Sequence, residues 1–210
     1  LVLSKGSATP ALYACLARLG FFGREELWSY RRLGAMLQGY PDIRTPGVDA
    51  PGGAHGGGIG IASGMCLALR LDNLDPRVYC VMGDGELQEG QVWEASMFAG
   101  NHGLDNLTVV VDNNNLQIDG TVREICSPYP IGEKFRAFNF HVINIDAHDF
   151  DQIRAAFKEA KSSKGKPTAI IAKSIKGKGV SFMENAVGWH GKAPSEEQGV
   201  AFVNEIMGVQ

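Results

Sequence analysis

Two short polar stretches in this sequence carry residue types that bind metal ions. The first is VMGDGELQEG, in which Asp84 lies between Gly83 and Gly85 directly after an apolar run. The second is VVVDNNNLQIDG, in which Asn114 is the middle one of three asparagines that follow another apolar run. Carboxylate and amide oxygens are hard ligands, which suit Mg²⁺ or Ca²⁺ and do not suit zinc. The two stretches therefore predict a cation site built from oxygen atoms.

The apolar runs before these stretches predict where the two polar turns lie. Val78–Met82 and Leu107–Val111 have the composition of short buried strands, and a helix is expected to begin near Gln88. Ligands of parallel sheets bind beyond the carboxyl ends of the strands, which is where both turns would be. Glycines beside the aspartate let backbone N–H groups come close to a phosphate, and the start of a helix adds a favourable dipole. The pattern predicts a Mg²⁺–diphosphate site.

A simpler interpretation is that both stretches are ordinary turns, since glycine, aspartate and asparagine are common in loops. Other phosphate-binding motifs are missing, because the sequence has neither GxxxxGK[ST] nor GxGxxG between a strand and a helix. GIGIASG at 58–64 comes nearest, but no apolar strand precedes it. The place of both turns at strand ends favours a binding site.

Composition limits the classes of protein to which the chain could belong. Its 210 residues, of which 44% are hydrophobic, suit one large α/β domain. A net charge of −3 argues against nucleic-acid and polybasic membrane binding, and the apolar runs are too short to span a bilayer. Cys15, Cys66 and Cys80 have apolar neighbours, Cys126 is in an expected loop, and no CxxC pair occurs. These features predict reduced, mostly buried thiols in a cytoplasmic protein.

Apolar periodicity predicts helices that alternate with short strands. The expected helices are Pro10–Leu19, Arg24–Leu37, Ile59–Leu71, 88–102, 133–139, Phe150–Ser162 and Ser195–Met207. The two further strands are His141–Ile145 and Thr168–Ala172, and long glycine-bearing loops are expected at Gln38–Gly58 and Ser174–Pro194. The helix Ile59–Leu71 is apolar on every side, which predicts that no face of it meets water. This alternation indicates an α/β fold with a doubly wound, mainly parallel sheet and helices on both faces.

The sequence resembles the transketolase family of thiamine-diphosphate enzymes. GDGELQEGQVWEA followed by VDNNNLQIDG is similar to the cofactor motif of that family, and LVLSKGSATPALYA, LQGYPDIRTPGV and GKGVSFMENAVGWHGKAP resemble its other segments in the same order. The resemblance covers nearly the whole chain. It implies that residues 1–210 are one diphosphate-binding domain, and that the pyrimidine-binding and C-terminal domains are on a separate chain, in an α2β2 heterotetramer. The abrupt start at Leu1 suggests that an N-terminal segment precedes it.

The resemblance also implies roles for individual residues. Asp84 and Asn114 match the side chains that bind Mg²⁺, for which Ca²⁺ could substitute, and Leu116 matches a metal ligand that uses its carbonyl oxygen. The residues implied to contact thiamine diphosphate are Gly53, Gly83, Asp84, Gly85, Glu86, Asn114, Leu116 and His190.

His190 and His55 are the expected catalytic residues. His190, in GWHG, matches a histidine that touches the diphosphate and the reacting centre, although a histidine between glycine-rich neighbours is often an ordinary loop residue. Glu89 and Glu94 match acids at the interface between subunits, and the alternative for them is a solvated helix face. A lysine pair, Lys176 and Lys178, could meet phosphate or could lie on the surface.

Three positions depart from the family pattern. Ser7 and Tyr40 stand where transketolases usually have histidine, and PGGAHGGG places His55 where a leucine is usual. Those histidines contact the hydroxyl and carbonyl groups of the sugar. The departures therefore predict a specialised ketol donor or acceptor.

The function implied is transfer of a two-carbon ketol unit from a ketose to an aldehyde or another acceptor, a transferase reaction that needs the partner chain. One alternative is another thiamine-diphosphate enzyme component that passes an acyl or glycolyl unit to a carrier protein. The other is a non-catalytic cofactor-binding partner. Intact Asp84, Asn114 and His190 argue against this last alternative.

Overall fold

A parallel sheet of five strands lies at the centre of the computed structural model, which describes residues 1–208. The strands of the chain are β1 Val2–Leu3, β2 Val78–Gly83, β3 Leu107–Asn113, β4 Leu116–Gln117, β5 Gly120–Thr121, β6 His141–Asp146 and β7 Thr168–Lys173. The α-helices are α1 Thr9–Arg18, α2 Gly57–Leu71, α3 Gly90–Asn101, α4 Val122–Cys126, α5 Ile131–Ala137, α6 Phe150–Ser162 and α7 Glu196–Met207. The sheet has the order β1-β2-β3-β7-β6, and β4 and β5 form a separate antiparallel hairpin.

The order of the strands explains why helices cover both faces. The chain moves in one direction through β1, β2 and β3, continues to β6 at the edge, and then returns to β7 through α6. Crossovers between parallel strands are right-handed, so a return in the opposite direction places its helix on the opposite face. This arrangement confirms the predicted doubly wound α/β fold.

The main core lies between one face of the sheet and helices α2, α3 and α5. Cys80, Val109 and Ala169 are aligned across β2, β3 and β7, and each of these residues is fully buried in this core. On the opposite face the ring of Tyr79 packs edge-on against Phe157 of α6, with 5.5 Å between ring centroids. The near-continuous apolar character of these strands follows from burial on both faces.

The predicted helix Arg24–Leu37 is wrong. Only a 3-10 helix at Arg24–Ser29 forms, and the following residues are turns in which Arg31 and Gly34 have φ angles of +62° and +77°. Left-handed backbone cannot continue a right-handed helix. Leu33 in this segment is fully exposed, so a helix here would not have gained stability by burying it.

Other differences concern boundaries and short elements. The helix expected at 88–102 is α3, Gly90–Asn101, and a separate 3-10 helix at Gly85–Gln88 precedes it. The helix expected at 133–139 begins two residues earlier, at Ile131. Helix α2 does meet water, because Ile61 is 39% and Leu71 is 81% exposed. The strand β1, the helix α4 and the β4–β5 hairpin were not predicted, since segments of two to five residues have no measurable periodicity.

The thiols are free at all four cysteines. Cys66 and Cys80 are buried as expected, whereas Cys15 is exposed on the outer side of α1, and Cys126 is also exposed. Within residues 1–208 no helix combines the length and the apolar character needed to cross a bilayer.

Candidate active site

A pocket of about 690 Å³ opens beyond the carboxyl ends of β2 and β3. Its lining includes the turn Gly83–Glu86, the asparagine turn at Asn114, and the second glycine-bearing loop through His190. Both polar stretches from the sequence therefore face the same cavity, although they are far apart in the chain.

Asp84 is almost completely buried, with 1% of its surface exposed. Its Oδ1 accepts a hydrogen bond of 2.9 Å from the Gly85 N–H, and its Oδ2 accepts one from the Asn115 N–H. Burial raises the pKa of Asp84 to about 6, although the two N–H donors act in the opposite direction. A buried carboxylate of this kind favours a cation beside it.

The side-chain amide of Asn114 forms hydrogen bonds through both its oxygen and its nitrogen. Its Oδ1 accepts a hydrogen bond of 2.9 Å from the Leu116 N–H, and its Nδ2 donates one of 3.3 Å to Asp112. Asn115, with φ of +59°, forms the left-handed turn that directs the chain back towards Asp84. Asparagine adopts this conformation more readily than most residues, which explains the residue type.

These donors fit a cation that takes few ligands from the protein. Asp84 and Asn114 supply one carboxylate and one amide oxygen, and each oxygen has a lone pair beyond its hydrogen bond. In residues 1–208 no group of three or more His, Cys, Asp or Glu side chains could hold a metal ion. Mg²⁺ bound with a substrate phosphate needs only one or two protein ligands, so the residues present fit that ion.

Glu86 has both carboxylate oxygens engaged inside the protein. It is 4% exposed, and it accepts hydrogen bonds from the Ser4 hydroxyl, from the Gly56 N–H at 2.7 Å and from the Gly83 N–H at 3.1 Å. The N–H groups of Gly83 and Gly85 are thus used by neighbouring carboxylates. The predicted cofactor contacts of Gly83, Gly85 and Glu86 stay predictions, and the carboxylates of Asp84 and Glu86 compete with a diphosphate for these N–H donors.

An ion pair beneath the asparagine turn was not predicted from the sequence. Lys5 pairs with Asp112 at the end of β3, and Ser174 donates a hydrogen bond to the same carboxylate. Burial raises the pKa of Asp112, but the charge of Lys5 and the hydrogen bonds to Lys5, Ser174 and Asn114 hold it below its ordinary value. Asp112 was visible in VVVDNNN, but only the fold places it beside Lys5, 107 positions earlier.

The two predicted catalytic histidines line the same pocket. Burial lowers the pKa of His190, and the positive charges of Lys176 and Lys5 and the nearby His55 lower it further. The lowered pKa favours the neutral ring of His190, and its buried Nδ1 has no hydrogen-bond partner among the described residues. A neutral imidazole with one free nitrogen can exchange a proton with a bound ligand or donate a hydrogen bond to it.

Of the two lysines considered, Lys176 lines the pocket and Lys178 does not. Burial and then Lys5 lower the pKa of Lys176, whereas Lys178 lies 3.4 Å from Glu184 at the surface.

Of the two glutamates expected at an interface, Glu89 lines the pocket and Glu94 is exposed on α3. The pocket lining thus includes Lys176 and Glu89 but not Lys178 or Glu94.

Tyr40 and Ser7, two of the positions that depart from the family pattern, also line the pocket. The Tyr40 ring lies against two glycines: a Cβ atom built on Gly6 would be 2.6 Å from the ring, and one on Gly53 would be 3.2 Å from it. Gly53 has φ of +118°, a backbone conformation that favours glycine, and the nearby ring leaves little space for a side chain. Gly53 is not among the residues that line the pocket, and its predicted cofactor contact stays a prediction.

Comparison with known proteins identifies the family. The model of the thiamine diphosphate binding domain of transketolase matches residues 1–210. The chain is 46% identical to the 6-deoxy-6-sulfo-D-fructose transketolase subunit of Clostridium sp. (strain MSTE9), covering 98% of this chain and 75% of that protein. It is 37% identical to the apulose-4-phosphate transketolase subunit of Phocaeicola vulgatus, covering 98% of this chain and 73% of that protein.

A solved structure agrees with these relatives. Transketolase from Campylobacter jejuni superposes with a TM-score of 0.82 at 30% identity, over 99% of this chain and 37% of the longer one. The chain thus spans little more than a third of that transketolase. The similarity extends over nearly all of this chain, and it confirms the predicted family, thiamine-diphosphate dependence and transferase class. This chain belongs to the transketolase family and carries its thiamine-diphosphate-binding domain.

Proposed function

We propose that this chain is the diphosphate-binding component of a two-chain transketolase that moves a two-carbon ketol unit from a ketose to an aldehyde. The observation that carries the proposal is the placement of Asp84, Asn114 and His190 around one pocket at the ends of neighbouring strands. Thiamine diphosphate, when bound, supplies the carbanion chemistry that breaks and re-forms the carbon–carbon bond. The residues of this chain would bind the cofactor, orient the substrate and transfer protons to and from it.

Mg²⁺ is the proposed metal, with Ca²⁺ as a substitute. The side chains of Asp84 and Asn114 and the carbonyl oxygen of Leu116 would hold it, and the diphosphate would complete its shell. Lys176 is half-buried in the same pocket, and a cation there stabilises a diphosphate whose charge the metal does not fully neutralise. His190 would donate a hydrogen bond to the diphosphate or the substrate from its neutral ring.

His55 and His190 are the proposed proton-handling residues. Both side chains line the same pocket. An imidazole can take up and release a proton near physiological pH. This supports a role for the pair in moving protons to and from sugar oxygens.

The proposed donor is a ketose that carries an anionic group. Two relatives are named for 6-deoxy-6-sulfo-D-fructose and for apulose-4-phosphate, both of which are anionic sugars. Arg31 and Lys192 line the pocket here in addition to Lys176. Within the described residues neither Arg31 nor Lys192 forms an ion pair with an acid. Such cations suit a sulfonate or phosphate group.

The proposed partner is a separate chain with the pyrimidine-binding and C-terminal domains. Residues 1–210 would form the single diphosphate-binding domain, and the two kinds of chain would form a cytoplasmic α2β2 heterotetramer. Both relatives are named as subunits, and this chain covers about three quarters of each. Glu89 at the edge of the pocket is available for an interface near the cofactor. We expect no turnover by this chain without the partner.

Calorimetry with the co-purified pair of chains tests the proposal. Thiamine diphosphate is titrated with and without Mg²⁺ into the wild type, Asp84→Ala and the surface control Asp75→Ala. Mg²⁺-dependent binding that only Asp84→Ala abolishes supports the site, and turnover of a phospho- or sulfo-ketose supports the reaction. Absence of binding by the wild-type pair would refute the enzyme function, while binding with no ketol transfer would favour acyl transfer to a carrier or a non-catalytic role.

A further inference from the structure

Three separate segments meet at the buried carboxylate of Glu86. Ser4 follows β1, Gly56 precedes α2 and Gly83 ends β2, and each donates a hydrogen bond to this carboxylate. The Gly58 N–H donates in turn to the Ser4 hydroxyl oxygen, at 3.2 Å. We call Ser4, Gly56, Gly83 and Glu86 the Glu86 network.

The backbone is closely packed at two glycines beside this network. A Cβ atom on Gly58 would be 2.3 Å from the Ser4 Cβ, so the first turn of α2 is in direct contact with the end of β1. Gly56 has φ of +78°, and a Cβ atom there would be 2.8 Å from the Cβ of Glu89. Both glycines allow an approach that no other residue would permit.

The charge of Glu86 suits its position. Its Oε1 accepts from Gly56, which is the N-cap residue of the 15-residue helix α2. The N-terminal end of a helix carries a partial positive charge and favours a carboxylate. The carboxylate also has enough lone pairs for all three donors, whereas an amide in the same place would offer one oxygen and turn an N–H₂ group towards N–H donors.

The network connects the two halves of the pocket. Gly83 lies next to the metal ligand Asp84, and Gly56 lies next to His55. Building on the proposed function, we infer that Glu86 is a positioning residue that holds the loop with Gly53 and His55 against the metal-binding turn. It acts through Ser4, Gly56 and Gly83. Neither carboxylate oxygen of Glu86 is then needed to contact the cofactor.

The test uses Glu86→Gln in the co-purified pair of chains, with Glu197→Gln, an exposed position on α7, as the matched control. Hydrogen exchange of the segments at Gly56 and Gly83 is measured without ligand, and Mg²⁺-dependent thiamine-diphosphate affinity is measured by calorimetry. We expect exchange at both segments to be faster in Glu86→Gln. We expect the affinity to be about 10-fold weaker, the lower end of the effect of removing a direct partner of a metal ligand, because Glu86 bonds to Gly83 rather than to Asp84.

A general loss of stability is separated from positioning by a core variant. Phe135→Leu, in the core away from the pocket, should lower the urea midpoint and leave both the exchange at Gly56 and the affinity unchanged. If Glu86→Gln does not fold, Ser4→Ala removes one donor and should give the same changes to a smaller extent. Exchange and affinity equal to wild type in either folded variant would overturn the inference. If the wild type fails to bind cofactor, the proposed function is wrong. The positioning role is then tested by hydrogen exchange alone, and exchange in Glu86→Gln equal to that of the wild type would refute it.

Discussion

The backbone N–H of Asn115 donates a hydrogen bond to Oδ2 of Asp84, so the turn after β3 is bound directly to the residue after β2. This contact joins the two polar stretches of the sequence. It also presents the amide of Asn114 beside the carboxylate of Asp84 in one pocket. Asp84 and Asn114 are 1% and 8% exposed. The fold itself therefore fixes the positions of both side chains.

Metal binding should weaken at mildly acidic pH because of Asp84. Burial raises the pKa of its carboxyl from 3.8 to about 6, and only the ionised form binds a cation well. Below pH 6 the apparent Mg²⁺ affinity should therefore fall by up to about tenfold for each pH unit. Calorimetry with thiamine diphosphate between pH 5 and 8 measures this. An affinity that stays constant over that range would contradict the prediction.

The carboxyl group of Asp84 should make the ligand-free protein less stable as the pH rises, whereas it makes metal binding stronger. A raised pKa in the folded state means that the ionised form of Asp84 is disfavoured by folding, so its cost appears as the pH rises from 3.8 to about 6 and is constant above. Added Mg²⁺ and cofactor should relieve it. We expect the increase in Tm on adding both to be larger at pH 7.5 than at pH 5.5, as measured by scanning calorimetry.

Removing the cation of the Lys5–Asp112 pair should destabilise the fold in a pH-dependent way. Lys5→Met leaves Asp112 partly buried beside Ser174 without its cation, and the two side chains are 20% and 30% exposed, so we expect a loss of about 1–3 kcal/mol at pH 7. The pKa of Asp112 is below its ordinary value, so this contribution is present above about pH 4 and is lost as the carboxylate is protonated.

Urea unfolding of the wild type and Lys5→Met at pH 7 and at a pH below 4 measures that difference. The exposed Lys158→Met on α6 serves as the matched control, and it should cost less than about 0.5 kcal/mol. A loss for Lys5→Met that is equal at both pH values would mean that lost packing of the side chain, rather than charge, is responsible.

Tyr40 should affect the sugar more than the cofactor. Its ring lies against Gly6 and Gly53 and lines the pocket, and its hydroxyl has no partner among the described residues. Tyr40→Phe keeps the ring and removes the hydroxyl that would form one hydrogen bond to the sugar, so we expect kcat/KM for the ketose to fall by about 5- to 10-fold. Cofactor affinity should not change. Steady-state kinetics and calorimetry on the paired chains test this, and a changed cofactor affinity with unchanged kcat/KM would contradict it.

Core and surface positions should differ sharply in their effect on stability. Phe135 is fully buried between Trp93 and Phe140, so Phe135→Ala should cost about 3–5 kcal/mol. Leu33, within the segment where a helix was predicted and turns are found, is fully exposed, so Leu33→Ala should change stability by less than about 0.5 kcal/mol. Urea unfolding compares the two, and a large effect at Leu33 would indicate that it is buried against a partner.

Local pattern in the sequence determined the four longer strands, most helices and the position of the two polar turns. Apolar runs such as Val78–Met82 are read from neighbours in the chain, and a glycine on each side of Asp84 is visible without a fold. The same local reasoning was wrong where a turn interrupts a helical composition, as at Arg31, because a left-handed residue other than glycine has no clear signal in its own type.

Only the tertiary structure decided which distant groups meet. Lys5 pairs with Asp112, 107 positions away in the chain. Glu86 accepts hydrogen bonds from Ser4, 82 positions away, and from Gly56, 30 positions away. Such contacts depend on the order of the strands in the sheet and on the close approach that Gly58 allows at Ser4. A linear pattern contains the residue types that bind a metal, whereas burial, pKa and hydrogen-bond partners follow from three-dimensional packing.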